Sequence, residues 1–229
     1  MSLSTTAPRA QGPRPVHGTT FAAVLFDMDG TLVDSTPSVV RSWVRLAEEN
    51  GISVETLQAA AGHGRPARDI VADLFPPAGR AAALERITAL EIDDVEGVVA
   101  LPGAESALRA VGSVAAIVTS CAADLAVARQ QAAGIPVPQV VVTADDVTRG
   151  KPDPEPFLLA ARVLGVEPAR CLVVEDAPAG LSAGRAAGMT TLAVTTTHSA
   201  AELDADRVVG DLAGVTMTRT GDGVAVTVR

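Results

Sequence analysis

The chain has 229 residues, of which 48% are hydrophobic, and this is enough to build the core of one α/β domain with an insertion or of two small domains. Its formal net charge of −9 and its aromatic content of 2% argue against binding to nucleic acids or to membrane surfaces. No apolar run approaches the roughly 18 residues of a membrane span, and two cysteines are too few for a disulfide framework, so we expect a cytoplasmic protein.

Residues 1–20 are rich in proline, serine, threonine and arginine. They contain no apolar segment of the kind found in secretory signals, and we predict a disordered tail. His17 belongs to this tail. We expect His17 and His198 to be tail and surface residues without a role in metal binding.

The first predicted strand, Ala22–Phe26, ends in two aspartates. Asp27 and Asp29 stand one residue apart and are followed by Gly30 and Thr31. The ends of strands are where open α/β sheets place their chemistry. Two carboxylates so close together repel each other unless a cation or a proton lies between them. The pattern therefore predicts a divalent metal site, with one aspartate free to act as a nucleophile.

A long insertion follows this strand. The next strand begins near Val114, roughly eighty residues later, whereas a crossover needs only about a dozen. We predict a helical cap at residues 34–103, inserted into a core of residues 21–33 and 104–229, and we expect the cap to lie over the Asp27 strand end. The helices predicted in and directly after the insertion are Pro37–Asn50, Val54–Ala61, Ala67–Phe75, Gly79–Glu91 and Ala104–Val111.

After the insertion, apolar runs typical of buried parallel strands alternate with alanine-rich helices. This alternation predicts a doubly wound α/β fold, with a Rossmann-like parallel sheet. Around the turn Gly221–Gly223 the pattern becomes that of a C-terminal β-hairpin. The later strands of the sheet are predicted at Val114–Val118, Gln139–Val142, Cys171–Val174 and Thr191–Val194.

Polar side chains follow three of these later strands. Thr119 and Ser120 follow the second strand of the sheet, Lys151 lies in the loop after the third, and Glu175 and Asp176 follow the fourth. Parallel strands end at the same edge of a sheet. We therefore expect these side chains to meet the aspartates of the first strand in a single crevice.

The expected crevice has the groups that phosphoryl transfer requires. Aspartate oxygens suit Mg²⁺, and hydroxyl and ammonium groups suit a phosphoryl group. One carboxylate can accept the phosphoryl group as an aspartyl-phosphate, while a second protonates the leaving alkoxide. Lys151 is the one lysine among 18 lysine and arginine residues, which indicates a position that requires a compact charge rather than a planar guanidinium.

These four motifs, in this order and spacing, resemble those of the haloacid dehalogenase superfamily, and the insertion resembles its helical cap of the first type, C1. The resemblance implies that Asp27 is the nucleophile and Asp29 the general acid/base, with its backbone carbonyl on Mg²⁺. It implies that Asp176 is a metal ligand with Glu175 close to the metal. The residues expected to bind the phosphoryl group are Gly30, Thr31, Thr119, Ser120 and Lys151.

Two segments, Gly150–Phe157 and Val174–Gly180, are most similar to those of small sugar and polyol phosphatases, such as glycerol-phosphate and 2-deoxyglucose-6-phosphate phosphatases. The cap stretch 62–66 resembles the substrate-specificity loop of these enzymes. The residues expected to contact the substrate from the cap are His63, Gly64 and Arg65.

The sequence thus predicts a Mg²⁺-dependent phosphatase for a small phosphorylated sugar or polyol, acting as a monomer or weak homodimer. Asp29 argues against a C–halogen dehalogenase of this superfamily, which lacks the second acid. The absence of lysine from the cap argues against a phosphonate hydrolase. Two alternatives stay open. One is a phosphoglycolate phosphatase or a β-phosphoglucomutase-like phosphomutase, and the other is a catalytically silent domain that binds a phosphorylated metabolite.

Overall fold

A computed structural model describes residues 13–60 and 67–229. Within these two stretches, no helix combines the length and the hydrophobicity that crossing a bilayer requires. The strands are β1 (Thr19–Phe21), β2 (Ala23–Phe26), β3 (Val33–Asp34), β4 (Val99–Ala100), β5 (Ala115–Val118), β6 (Val140–Val142), β7 (Cys171–Glu175), β8 (Thr190–Val194), β9 (Arg207–Val209), β10 (Val215–Thr220) and β11 (Gly223–Val228). The α-helices are α1 (Thr36–Glu49), α2 (Val54–Ala60), α3 (Ala67–Leu74), α4 (Arg80–Asp93), α5 (Ala104–Val111), α6 (Ala123–Ala133), α7 (Glu155–Leu164) and α8 (Pro178–Ala186).

A parallel sheet with the strand order β6-β5-β2-β7-β8-β9 forms the centre of the molecule. Side chains alternate between its two faces, and both faces are covered. Phe26 packs in a cluster with residues of α5 and α6, whereas Leu25 packs in a second cluster with residues of α7 and α8. The predicted doubly wound parallel sheet is confirmed. The edge strand β9 was not predicted.

The insertion has a hydrophobic core of its own. Trp43 and Leu46 of α1 pack against Ile87 and Leu90 of α4, in a cluster whose buried members all come from α1–α4. The chain enters and leaves this segment through β3 and β4, which pair in antiparallel register with Val33 opposite Ala100. The division of the chain into a core and a cap with the boundaries given above stays a prediction.

The C-terminal hairpin is present, and the start of the described chain joins it. Strand β1 pairs with β11, so that Phe21 lies opposite Val224, and β11 pairs with β10. Val16 is only 3% exposed, and the ring of His17 contacts the backbone of Val228. The predicted disordered tail is therefore wrong for residues 13–20, because the hairpin supplies backbone partners that lie about 200 positions away along the chain. Residues 1–12 lie outside the described residues.

Candidate active site

Three carboxylates, those of Asp27, Glu175 and Asp176, form a buried cluster at the carboxyl edge of the parallel sheet. Asp27 directly follows β2, and Glu175 is the last residue of the neighbouring strand β7. Each residue offers one oxygen, and these three atoms lie within 4.8 Å of one another. The register sets Phe26 beside Val174, so the residues that follow emerge next to each other.

Lys151 lies between two of these acids. Its Nζ donates hydrogen bonds to Asp27 Oδ1 at 2.5 Å, to Glu175 Oε1 at 2.7 Å and to the carbonyl of Val118 at 2.8 Å. The ring of Phe157 lies 5.2 Å from the same nitrogen. The two carboxylates outweigh the effect of burial and raise the pKa of Lys151, so its side chain stays an ammonium.

Burial shifts the protonation of the acidic cluster. It raises the pKa of Asp27 to about 7, although Lys151 opposes this shift. Burial and the nearby charge of Asp27 raise the pKa of Asp176 to about 7, and burial also raises the pKa of Glu175. Three carboxylates against one ammonium leave the ionised cluster with a net negative charge. This donor set of closely spaced oxygens fits a hard divalent cation.

Two glycines leave room for these acids. Gly30 has a φ of 84°, and a Cβ atom there would overlap the carboxylate of Asp176. A Cβ atom on Gly180, in the first turn of α8, would overlap the carboxylate of Glu175. Thr31 Oγ1 donates to Asp176 Oδ1 at 3.4 Å. Gly30 and Thr31 thus lie against the acidic cluster, and their contact with a phosphoryl group stays a prediction.

Asp29 makes its contacts outside the three-carboxylate cluster. Its Oδ1 accepts hydrogen bonds from Ser35 Oγ at 2.7 Å and from Arg129 Nη1 at 2.9 Å. Its Oδ2 accepts from the thiol of Cys121 at 3.1 Å, and burial raises the pKa of this thiol, which therefore keeps its proton. The Asp29 side chain is 26% exposed. Its roles as acid/base and as metal ligand stay predictions.

The two predicted hydroxyl residues follow β5 at the same edge of the sheet. Thr119 is buried, and its Oγ1 accepts a hydrogen bond from the backbone amide of Cys121 at 3.1 Å. Ser120 is exposed. The carbonyl of Val118, one residue earlier, accepts the hydrogen bond from Lys151, so this strand end adjoins the cluster. A phosphoryl group bound between these residues stays a prediction.

The loop that follows β8 was missed by the sequence analysis. Thr197 Oγ1 donates a hydrogen bond to Asp176 Oδ2, and Thr196 Oγ1 donates to the carbonyl of Gly30. His198, predicted to be a surface residue, is partly buried, and its Nδ1 lies 3.1 Å from the backbone carbonyl of Asp176. The signal was available, because this loop follows a strand of the same parallel sheet.

Arg129 and Glu91 were also missed. Both are buried, and Arg129 Nη2 donates to Glu91 Oε2 at 2.8 Å. Arg129 lies on α6 and Glu91 on α4, 38 positions apart in the chain, so no local pattern connects them.

The predicted specificity residues of the cap, His63, Gly64 and Arg65, lie outside the described residues. The adjoining helix α3 nevertheless reaches the loop that carries Lys151. A Cβ atom built on Gly150 would lie 3.7 Å from Nη1 of Arg68. A side chain of the inserted segment therefore lies next to the loop that carries Lys151.

Comparison with known proteins gives phosphatases as relatives. Hexitol phosphatase A from Escherichia coli (strain K12) is 42% identical over 206 residues, which cover 87% of this chain and 95% of the relative. Glycerol-1-phosphate phosphohydrolase 2 from Saccharomyces cerevisiae is 31% identical over 187 residues, covering 76% of this chain and 75% of the relative. The resemblance to sugar and polyol phosphatases is confirmed.

A solved structure agrees with this result. The crystal structure of a hydrolase from Pseudomonas syringae superposes with a TM-score of 0.74 at 26% identity, covering 84% of this chain and 94% of the other. The sequence model of the haloacid dehalogenase-like hydrolases matches residues 21–188, a stretch that includes the acidic cluster, Lys151 and Asp29. The chain is therefore a member of the haloacid dehalogenase-like hydrolase family.

Proposed function

We propose that this protein is a Mg²⁺-dependent phosphatase that hydrolyses a small phosphorylated sugar or polyol through an aspartyl-phosphate on Asp27. The observation that carries the proposal is the buried cluster in which Lys151 bridges Asp27 and Glu175 beside Asp176. The relative named hexitol phosphatase A, 42% identical, supports the substrate class.

In the first step, the free oxygen of the Asp27 carboxylate attacks phosphorus and the bond to the leaving oxygen breaks. Asp29 donates its proton to that oxygen, which departs as an alcohol. In the second step, a water molecule attacks the aspartyl-phosphate. Asp29 takes a proton from this water, phosphate leaves, and the Asp27 carboxylate is restored.

Lys151 serves both steps. Its ammonium is fixed by Asp27, Glu175 and the Val118 carbonyl, so it is already oriented when phosphoryl oxygens arrive beside Asp27. Thr119 and Ser120, at the adjoining strand end, would donate hydrogen bonds to the same oxygens.

Asp27 and Asp176, with the backbone carbonyl of Asp29 that the resemblance implies, would hold the magnesium ion. When bound, this ion would neutralise the phosphoryl charge against the carboxylates. Burial is the main cause of the raised pKa values of Asp27 and Asp176, about 7 in both cases, and the charges of neighbouring carboxylates add to it. A bound cation would relieve both effects, which supports this assignment.

We expect residues of the cap to contact the substrate and to determine which substrate is bound. The proximity of Arg68 to Gly150, in the loop that carries Lys151, supports this expectation, and residues His63, Gly64 and Arg65 lie shortly before helix α3 in the chain. We expect the cap to contact the leaving group and to exclude bulk water during the reaction. Action in the cytoplasm and a monomeric or weakly dimeric state are further expectations.

The test is a phosphate-release screen with the purified protein and Mg²⁺. The panel contains hexitol phosphates, glycerol 1-phosphate, 2-deoxyglucose 6-phosphate, phosphoglycolate and β-glucose 1-phosphate. We expect release from hexitol or sugar phosphates, loss of release on chelation of Mg²⁺, and a fall to below about one thousandth in Asp27→Asn. Asp222→Asn, in the exposed hairpin turn, is the matched control and should keep full activity.

Other results of the screen would overturn parts of the proposal. Full turnover by Asp27→Asn would exclude the aspartyl-phosphate. Turnover of phosphoglycolate alone would exclude the substrate class. Conversion of β-glucose 1-phosphate to glucose 6-phosphate without release of phosphate would identify a mutase. Binding of these compounds without any turnover would identify a silent binding domain.

A further inference from the structure

Arg129 forms a buried bridge between the candidate acid/base and the inserted helical segment. We propose that Arg129 is a positioning residue, which orients the carboxylate of Asp29 and links that orientation to helix α4 through Glu91. The inference rests on the proposed function, in which Asp29 transfers the proton, and it assigns a role to two residues outside the predicted motifs.

The geometry of the bridge is specific. Arg129 lies on α6 and its side chain is 4% exposed. One terminal nitrogen, Nη1, donates to Asp29 Oδ1 at 2.9 Å, and the other, Nη2, donates to Glu91 Oε2 at 2.8 Å. A single planar group therefore holds one carboxylate beside the reaction centre and one carboxylate on α4.

The electrostatics tie these three groups together. Burial of a guanidinium destabilises the fold unless carboxylates balance its charge and its N–H groups find acceptors. Removal of one partner leaves the other as an uncompensated charge in the protein interior. Among the described residues, Arg129 Nε is buried without a hydrogen-bond partner. The carboxylates of Asp29 and Glu91 thus balance the charge of the buried Arg129. Each of them fixes the position of the guanidinium that the other one binds.

The surroundings of Asp29 make its orientation depend on this bridge. Cys121 Sγ accepts from Arg129 Nη1 at 2.9 Å and donates to Asp29 Oδ2 at 3.1 Å. Arg129 therefore contacts one oxygen of Asp29 directly and the other through a thiol. A displacement of α4 that carries Glu91 away would release one end of the guanidinium, and with it this arrangement.

The chemistry offers a readout that a purely structural residue would not affect. Expulsion of an alkoxide needs a proton from a well-oriented acid, whereas p-nitrophenolate leaves without one. The constant kcat/KM reports the steps up to release of the alcohol and excludes the later hydrolysis of the aspartyl-phosphate. A misoriented Asp29 therefore lowers kcat/KM for an alkyl phosphate, while kcat/KM for p-nitrophenyl phosphate changes little.

The experiment compares Arg129→Met with wild type on both substrates, with the best alkyl phosphate of the screen as the first. We expect kcat/KM for the alkyl phosphate to fall about ten- to hundredfold and that for p-nitrophenyl phosphate to change less than about threefold. Glu91→Gln should act in the same direction with a smaller effect, and Arg129→Lys should restore part of the loss. Gln131→Met, on the exposed side of α6, and Glu85→Gln, on the exposed side of α4, are the matched controls.

A second background tests whether Arg129 acts through Asp29. In Asp29→Asn, the addition of Arg129→Met should cause no further loss on the alkyl phosphate. If Arg129→Met does not fold because two carboxylates are left unpaired, the double variant Glu91→Met/Arg129→Met removes one of these charges and is measured instead, with thermal unfolding to confirm the fold.

Equal losses on the two substrates, or additive losses in the Asp29→Asn background, would overturn the inference. These outcomes leave the proposed function intact as long as the wild type releases phosphate and Asp27→Asn does not. Absence of phosphate release from the wild type on every substrate would instead mean that the proposed function has failed.

Discussion

At the scale of single residues, the charge balance around Lys151 determines how the site responds to pH. The ammonium contacts Asp27 and Glu175 and does not make a hydrogen bond with Asp176 within the described residues. The pKa values of Asp27 and Asp176 rise to about 7 from an ordinary value of 3.8, mainly because of burial. Without a cation, these two carboxyl groups therefore keep their protons up to a much higher pH than they would in the unfolded chain.

The raised pKa values of these two groups predict that Mg²⁺ stabilises the protein to a degree that depends on pH. Between pH 4 and pH 7 these two carboxyl groups bind more protons in the folded protein than in the unfolded chain, so their contribution to the stability of the metal-free protein falls as pH rises through this window and then levels off. Protons and Mg²⁺ compete for the same oxygens. We therefore expect Mg²⁺ to raise the unfolding temperature markedly at pH 8 and little at pH 5.5, as measured by calorimetry with and without the ion.

The control for this measurement is Asp176→Asn, which should lose most of the Mg²⁺-dependent shift at pH 8. The contribution of Lys151 is constant here, because its raised pKa lies well above the window. An equal shift at both pH values would contradict the protonation states assigned to Asp27 and Asp176.

At the scale of the elements, the edge of the parallel sheet determined what could be predicted from sequence. Apolar strands are recognisable in the sequence, and their carboxyl ends must lie together in a parallel sheet. The sequence alone therefore places Asp27, Thr119, Lys151 and Asp176 at one site. These residues also belong to motifs with a characteristic order. A short-range pattern was therefore enough to find the centre of the site.

Other parts of the site depend on contacts that no local pattern contains. Arg129 and Glu91 meet because α6 packs against α4, and each residue alone reads as an ordinary surface charge on an amphipathic helix. Thr197 occupies a strand-end loop like the others, but a threonine is common in any loop. Strand β1 has only three residues and is stabilised by a hairpin at the other end of the chain.

The loop after β8 leads to a second prediction. Thr197 Oγ1 donates to Asp176 Oδ2 and fixes the direction of this carboxylate. Thr197→Val keeps the shape of the side chain but removes the donor. We expect the Mg²⁺ concentration for half-maximal activity to rise about tenfold to a hundredfold, because residues that orient metal ligands typically contribute by this factor.

Thr195→Val is the matched control in the same loop. Its hydroxyl contacts the carbonyl of Gly210 rather than the acidic cluster, and the half-maximal Mg²⁺ concentration should stay unchanged. An equal increase in both variants would show that the loop acts through its backbone alone. Full activity of Thr197→Val at low Mg²⁺ would contradict the assigned role of this hydroxyl.

At the scale of the whole molecule, the hydrophobic residues are divided between the sheet and the insertion. Two clusters cover the faces of the parallel sheet, and a separate one joins α1–α4. We propose on this basis that the insertion is a cap that responds to destabilisation as its own unit, while the sheet remains folded.

Native-state hydrogen exchange tests this division. Ile87→Ala removes a side chain from the centre of the α1–α4 cluster and should cost about 3 kcal/mol. We expect exchange to accelerate in α1–α4 and to stay slow in β2 and β7. Val173→Ala, in the sheet, should accelerate exchange in β2 and β7 instead. Faster exchange throughout the protein in Ile87→Ala would show that the chain unfolds as one unit.

The pairing of β3 with β4 has a consequence for how such enzymes diversify. Val33 and Ala100 are direct partners, so the inserted segment begins and ends at one spot, although 66 residues separate the two positions. A different helical segment could therefore replace the residues between Val33 and Ala100 without a change in the strand order of the parallel sheet. Substrate choice can therefore evolve by replacement of a module, while the phosphate chemistry beneath it stays unaltered.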